Sequence, residues 1–170
     1  MYFRRMANKH VSLMIGVHVD DIIMSGEKGV CDVFFDELKE RFPAKHQGEM
    51  KMYSGYAFVR DWEYGVLEMN QTAFAETLMS QYQISAASNI SGSPGEDLSP
   101  RKDGEPGGNE EFPLYRPLIG SLMWLSVMTR PNIADALRAC ARHSHDSSPW
   151  HWRALLQVAA YVNGSKEICF

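Results

Sequence analysis

The chain has little cysteine, no long apolar run and no surplus of positive charge, and each shortage excludes something. Cys31, Cys140 and Cys169 are far apart and form no Cys-x-x-Cys pair. That pattern argues against a disulfide framework or a zinc site and for reduced, buried small residues. No stretch approaches the roughly 18 apolar residues needed to cross a bilayer. The basic N-terminus, Met1 to His10, lacks the apolar core of a secretory signal. A cytoplasmic or nuclear protein with no membrane partner is expected. The net charge of −4 has the wrong sign for a freestanding nucleic-acid binder. Only the C-terminal third is cationic, through Arg116, Arg130, Arg138, Arg142, Arg153 and Lys166. Those cations read either as solvated helix faces or as a track along a nucleic-acid backbone.

What the chain does have is the run His18-Val19-Asp20-Asp21 between two apolar stretches. Adjacent carboxylates are costly to bury without a partner, so the pair belongs at an exposed turn, where it can hold a cation. Val11, Leu13, Ile15 and Val17 alternate with Ser12, Met14, Gly16 and His18, a strand pattern with one more apolar face. Ile22, Ile23 and Met24 begin a second strand that ends at Ser25-Gly26. The expected unit is a β-hairpin with Asp20 and Asp21 at its tip. Asp is also a common turn residue without any catalytic duty.

Downstream, Val30, Val33, Phe34, Leu38 and Phe42 fall at helical spacing opposite a charged face, and Pro43 stops the run. Lys51 to Val59 and Gly65 to Met69 read as a second hairpin, joined across Arg60 to Tyr64. Gln71 to Tyr82 reads as a helix with Asn70 as its cap. Residues 86–112 are rich in Gly, Pro, Ser and acidic residues and are expected to form a mobile connector. Beyond it, Leu114 to Thr129, a helix opened by Pro131, and a third opened by Pro149 and closed near Gly164 make a helical cluster. The predicted organisation is therefore an α+β part over 1–85, a linker over 86–112 and a helical part over 113–170.

Taken in order, these blocks resemble the reverse transcriptases of copia-type retrotransposons. His18-Val19-Asp20-Asp21-Ile22-Ile23 is similar to the family's Tyr-Val-Asp-Asp block, and Gly48-Glu49-Met50-Lys51 with Gly55 to its Gly-Glu-x-Lys segment. Gln71-Thr72-Ala73-Phe74 resembles Gln-x-x-Tyr. The run from Tyr115 to Leu125 resembles Tyr-Arg-x-x-Ile-Gly-Ser-Leu-Met-Tyr-Leu, and Thr129-Arg130-Pro131 follows as it does in the family. Pro149, His151-Trp152 and Tyr161 to Gly164 are similar to the closing elements. Order and spacing agree over roughly residues 11–170.

The resemblance implies a partial palm that carries the Asp-Asp hairpin, followed by thumb- or connection-like helices. It also implies two-metal nucleotidyl transfer, RNA-directed DNA polymerisation on a primed template with deoxynucleoside triphosphates. In such chemistry two Mg²⁺ ions, roughly 3.5–4 Å apart, need hard oxygen ligands. By resemblance Asp20 and Asp21 are the catalytic, metal-binding pair, and His18, Lys51 and Gly55 lie near primer or template. Ribonuclease H and integrase regions would belong to the parent polyprotein. The chain also departs from the pattern: His18 stands for Tyr, Ser54 for Leu, Asn132 and Asp135 for Asp and Tyr, and Val162-Asn163 for Leu-Lys. Fingers and a further palm aspartate are expected upstream of the Asp-Asp turn, so Met1 reads as an internal boundary and the isolated chain as inactive. The rival expectation is a non-catalytic remnant or a retained interaction domain. A small Mg²⁺-dependent nuclease is a third. His143, His145 and His151 read as solvent-facing, and Trp124, Trp150 and Trp152 as core residues that could alternatively stack on bases.

Overall fold

The protein, seen in a computed structural model, is described over residues 2–5, 11–85, 98–108 and 110–167. It mixes α and β structure and divides into two compact units, Met1–Met50 and Lys51–Phe170. The boundary falls before the second hairpin, which therefore groups with the helices. Among the described residues no helix is long and apolar enough to cross a membrane.

The first unit holds an antiparallel sheet of β1 (Tyr2–Arg5), β2 (Val11–His18) and β3 (Asp21–Gly26), in that order, and helix α1 (Lys28–Arg41). β1 is an element the sequence reading missed. The β2–β3 register runs from Leu13 opposite Gly26 to His18 opposite Asp21, leaving Val19 and Asp20 as a two-residue turn. Glycine at 26 is required by closeness, because a Cβ there would run into the Ser12 carbonyl oxygen. α1 ends as expected, with Phe42 as its C-cap just ahead of Pro43. Its apolar stripe is not sequestered: no α1 residue is buried, and Val33 is 55% exposed.

The second unit opens with the sheet β4 (Met52–Tyr53), β5 (Tyr56–Asp61) and β6 (Val66–Asn70). Helices α2 (Thr72–Gln81), α3 (Tyr115–Met128), α4 (Ala134–Ala141) and α5 (Pro149–Gly164) follow, with a 3₁₀ turn at Pro131–Ile133 leading into α4. Pro149 occupies the first helical turn of α5, where its missing N–H costs nothing. Asn70 accepts from the Thr72 N–H at 3.3 Å, one residue ahead of the Gln71 cap position. Seventeen buried residues from α2, α3, the 3₁₀ turn, α4 and α5 form one core, with Leu118, Leu122, Leu155, Val158 and Val162 wholly enclosed. Tyr56 ties the sheet to this core through Trp124, their rings 5.7 Å apart.

The expected mobile connector lies outside the described residues over 86–97 and at 109. Its described remainder is docked on the helices. Arg101 binds Asp146 at 2.8 Å and donates to the Glu105 carbonyl at 2.7 Å. Gly108 N–H donates to Ser147 O at 2.7 Å, and Leu98 and Phe112 pack against the core. Gly107, at φ 137°, sits where a Cβ would collide with the Ser147 carbonyl. Glycine here serves close approach as well as freedom, which composition alone does not distinguish.

Candidate functional site

The β2–β3 tip presents Asp20 and Asp21 to solvent. Val19 has φ 54° and is 88% exposed. A β-branched residue in the left-handed region is a genuine outlier, so this turn holds strain with no packing to repay it. Asp20 follows in the turn and Asp21 is the first residue of β3, opposite His18. His18, Asp20 and Asp21 therefore share one hairpin tip, as the sequence implied.

Lys51 and Gly55 belong to the second unit. Lys51 is exposed, and its carbonyl accepts from Phe58 N–H at 2.9 Å. Ser54 (φ 49°) and Gly55 (φ 84°) form a two-residue turn with both φ values positive, between Tyr53 and its partner Tyr56. That is the hairpin geometry for which glycine is favoured, and it accounts for Gly55 without a ligand.

Magnesium takes six oxygen donors in near-octahedral array. Asp20 and Asp21 offer the right chemistry but only part of such a set. Among the described residues no group of three or more His, Cys, Asp or Glu is placed to hold a metal ion. The described residues alone therefore do not complete a magnesium site.

The remaining motif residues perform structural work. Gln71 and Thr129, from two separate blocks, meet in the core, where the Thr129 hydroxyl donates to Gln71 Oε1 at 2.9 Å. The Tyr115 hydroxyl donates to the Cys140 carbonyl at 2.9 Å; burial raises the Tyr115 pKa and lifts the Cys140 thiol to about 11, so that thiol is inert. Arg130 is only 2% exposed. It donates to Ser165 O at 2.9 Å, Ser165 Oγ at 2.7 Å and Asn132 Oδ1 at 3.2 Å, and faces the Tyr161 ring. Burial lowers its pKa. Of the other C-terminal cations, Arg138 pairs with Asp135 at 2.9 Å, Lys166 with Glu76 at 2.7 Å, and Arg116 donates to Ser144 O at 2.6 Å. Much of the apparent backbone track is thus engaged within the fold.

Two aromatic expectations change. His151 is fully buried rather than solvent-facing, His143 is half-buried, and His145 alone of the three is exposed. Ser148-Pro149-Trp150-His151 forms a capping box: Ser148 accepts from His151 N–H, and the His151 ring accepts from Ser148 N–H at 3.2 Å. The Ser-x-x-His spacing was the available signal, obscured because Glu or Gln is the usual fourth residue. Of the tryptophans, Trp152 packs on Phe112 and Tyr115, while Trp124 remains 39% exposed.

Comparison with known proteins places this geometry in context. The chain is 25% identical over 177 aligned residues to the retrovirus-related Pol polyprotein from transposon TNT 1-94 of Nicotiana tabacum, covering 99% of this chain and 13% of that protein. It is 26% identical over 153 residues to the retrovirus-related Pol polyprotein from transposon RE2 of Arabidopsis thaliana, covering 89% of this chain and 10% of that protein. A 52-residue stretch is 35% identical to the Secreted RxLR effector protein 161 of Plasmopara viticola, covering 31% of this chain and 37% of that protein. No protein-family model and no solved structure matches. The chain is homologous to the Pol polyproteins of retrotransposons and spans 13% and 10% of the length of the two it matches along most of its own.

Proposed function

We propose that the chain is the part of a copia-type reverse transcriptase that carries the palm's Asp-Asp turn and the helices following it. In this reading Asp20 and Asp21 contribute two carboxylates to a nucleotidyl-transfer centre whose other ligands come from elsewhere in the Pol polyprotein. The observation that carries the proposal is the strained hairpin tip, with Asp20 in the turn and Asp21 at the start of β3, both in solvent, within a chain homologous to Pol polyproteins over 99% of its length. Primed template, deoxynucleoside triphosphates and Mg²⁺ are the proposed substrates and cofactor. The chain alone is expected to extend no primer, because Asp20 and Asp21 supply only part of a metal centre.

The test is Mn²⁺-induced broadening of backbone amide signals in the full chain. Selective broadening over residues 18–23, abolished in Asp20→Asn, is expected at millimolar Mn²⁺, the weak range of flexible sites with few ligands. Broadening centred on His143, His145 and His151 would overturn the assignment. Primer extension by the chain alone, lost in Asp20→Asn, would refute the partial site while retaining the carboxylates. A second reading, a non-catalytic domain retained for interaction, draws support from the stretch shared with a secreted effector. It predicts no Asp20-dependent metal effect at all.

A further inference from the structure

Within the second unit, His151 is placed as an internal latch. Its Nδ1 lies 3.2 Å from the Ser148 backbone N–H and 2.8 Å from Ser148 Oγ, and its Nε2 lies 3.0 Å from the Ser99 carbonyl oxygen. A backbone N–H can only donate and a carbonyl can only accept. The two partners therefore fix the neutral tautomer, with the proton on Nε2 and a lone pair on Nδ1. One ring thereby closes the α5 capping box and ties down the segment over 98–108. Trp150 adds a second bond to Ser99 O at 3.4 Å.

We propose that this ring is an acid-sensitive clasp on α5: protonation at Nδ1 breaks the bond from Ser148 N–H and loosens the first turn of the helix, while Nε2–H keeps its bond to Ser99 O. A proton on Nδ1 replaces the lone pair and faces the Ser148 N–H donor, so the capping box loses one of its two bonds. His143 stacks on His151 with ring centroids 3.9 Å apart and planes 11° apart, so a second imidazolium would meet the first face to face.

The segments next to the ring carry several charged groups: Arg101, Lys102, Asp103 and Glu105 on the 98–108 segment, Arg142, His143, His145 and Asp146 in the loop before α5, and Arg116 and Arg153 on α3 and α5. Of these, His143 and Asp146 act on the ring. The Ser99 carbonyl and then Asp146 favour the charged ring, Asp146 being itself bound to Arg101. Burial and then His143 act in the opposite direction, and the net shift of the His151 pKa is downward. The unfolded chain then takes up the proton first. Stability from this group is complete above about pH 6.5 and is lost as pH falls below it toward the folded-state value.

The experiment is amide hydrogen exchange of the full chain between about pH 7.5 and 5.0, read as protection factors so that intrinsic exchange chemistry divides out. Protection over 148–153 is expected to fall toward the acid end, while that over 98–108, still bonded through Nε2–H, is expected to hold. His151→Gln keeps the capping-box geometry with an amide that does not titrate, and its protection should be nearly flat. An equal acid loss in His151→Gln, or none in the wild type, overturns the proposal. Should that variant fail to fold, ring ¹⁵N shifts of the wild type decide. An Nε2–H tautomer titrating below about 6.5 supports the clasp, and titration at or above that value overturns it.

Discussion

Helices α1 and α3 each contain 14 residues, yet α3 buries six and α1 buries none. Both have apolar residues at helical spacing, so periodicity is not what separates them. α3 meets α4 and α5 within the seventeen-residue core of the second unit. Among the described residues of the first unit only Ser12 and Leu13 are buried. Amphipathic spacing states which face gains from burial, whereas partners decide whether the gain is realised. The paired aspartates therefore stand on the unit with little core of its own, and most of the motif blocks stand on the unit that has one.

The sharpest way to break this comparison is to truncate one side chain in each helix. Leu122→Ala, wholly enclosed in α3, should cost about 3 kcal/mol in urea unfolding, through lost transfer energy and a residual cavity. Val33→Ala in α1 should change stability by less than about 0.5 kcal/mol. Comparable losses would mean that α1 is as well anchored as α3.

Legibility followed the same division. Pro131 and Pro149 marked true starts because proline's fixed φ and missing N–H suit a first helical turn. The Asp20–Asp21 turn was legible because alternation through Val11–His18 and the apolar run Ile22–Met24 bracketed it. Three features were not. β1 lies in a basic segment whose strand character comes from pairing with β2. Docking of residues 98–108 depends on Arg101, Asp146 and Ser147, far apart in sequence. His151 looked polar and therefore outward, but its role at N3 of α5 turned the ring inward.

A smaller effect tests whether the well-packed unit has itself drifted. Arg130 is a buried guanidinium that donates to Ser165 and to the amide oxygen of Asn132, and Asn132 stands where the resembling family has aspartate. Asn132→Asp should place a carboxylate beside Nε and stabilise the chain by about 1.5 kcal/mol, the scale of a charge-assisted hydrogen bond. The Tyr161 hydroxyl, which now accepts from Asn132 Nδ2 at 2.9 Å, can donate to the new carboxylate instead. A lower urea midpoint for Asn132→Asp would show that the buried cation is already balanced.

The smallest expected change lies at the tip of the poorly packed unit. Val19 holds φ 54° while 88% exposed, so its side chain gives up little burial and still bears the left-handed penalty. Asn tolerates that conformation and, unlike Gly, adds little freedom to the unfolded chain. Val19→Asn should slow amide exchange in β2 and β3 by an amount equivalent to about 0.5–1 kcal/mol, with α3 to α5 unchanged because their amides open with the core. The local character of that gain is the informative part. If protection rose equally in α3 to α5, the two units would open together and the contrast between α1 and α3 would be one of exposure alone. If β2 and β3 gained nothing, Val19 would carry no strain, and the turn that displays Asp20 and Asp21 would be an ordinary hairpin end.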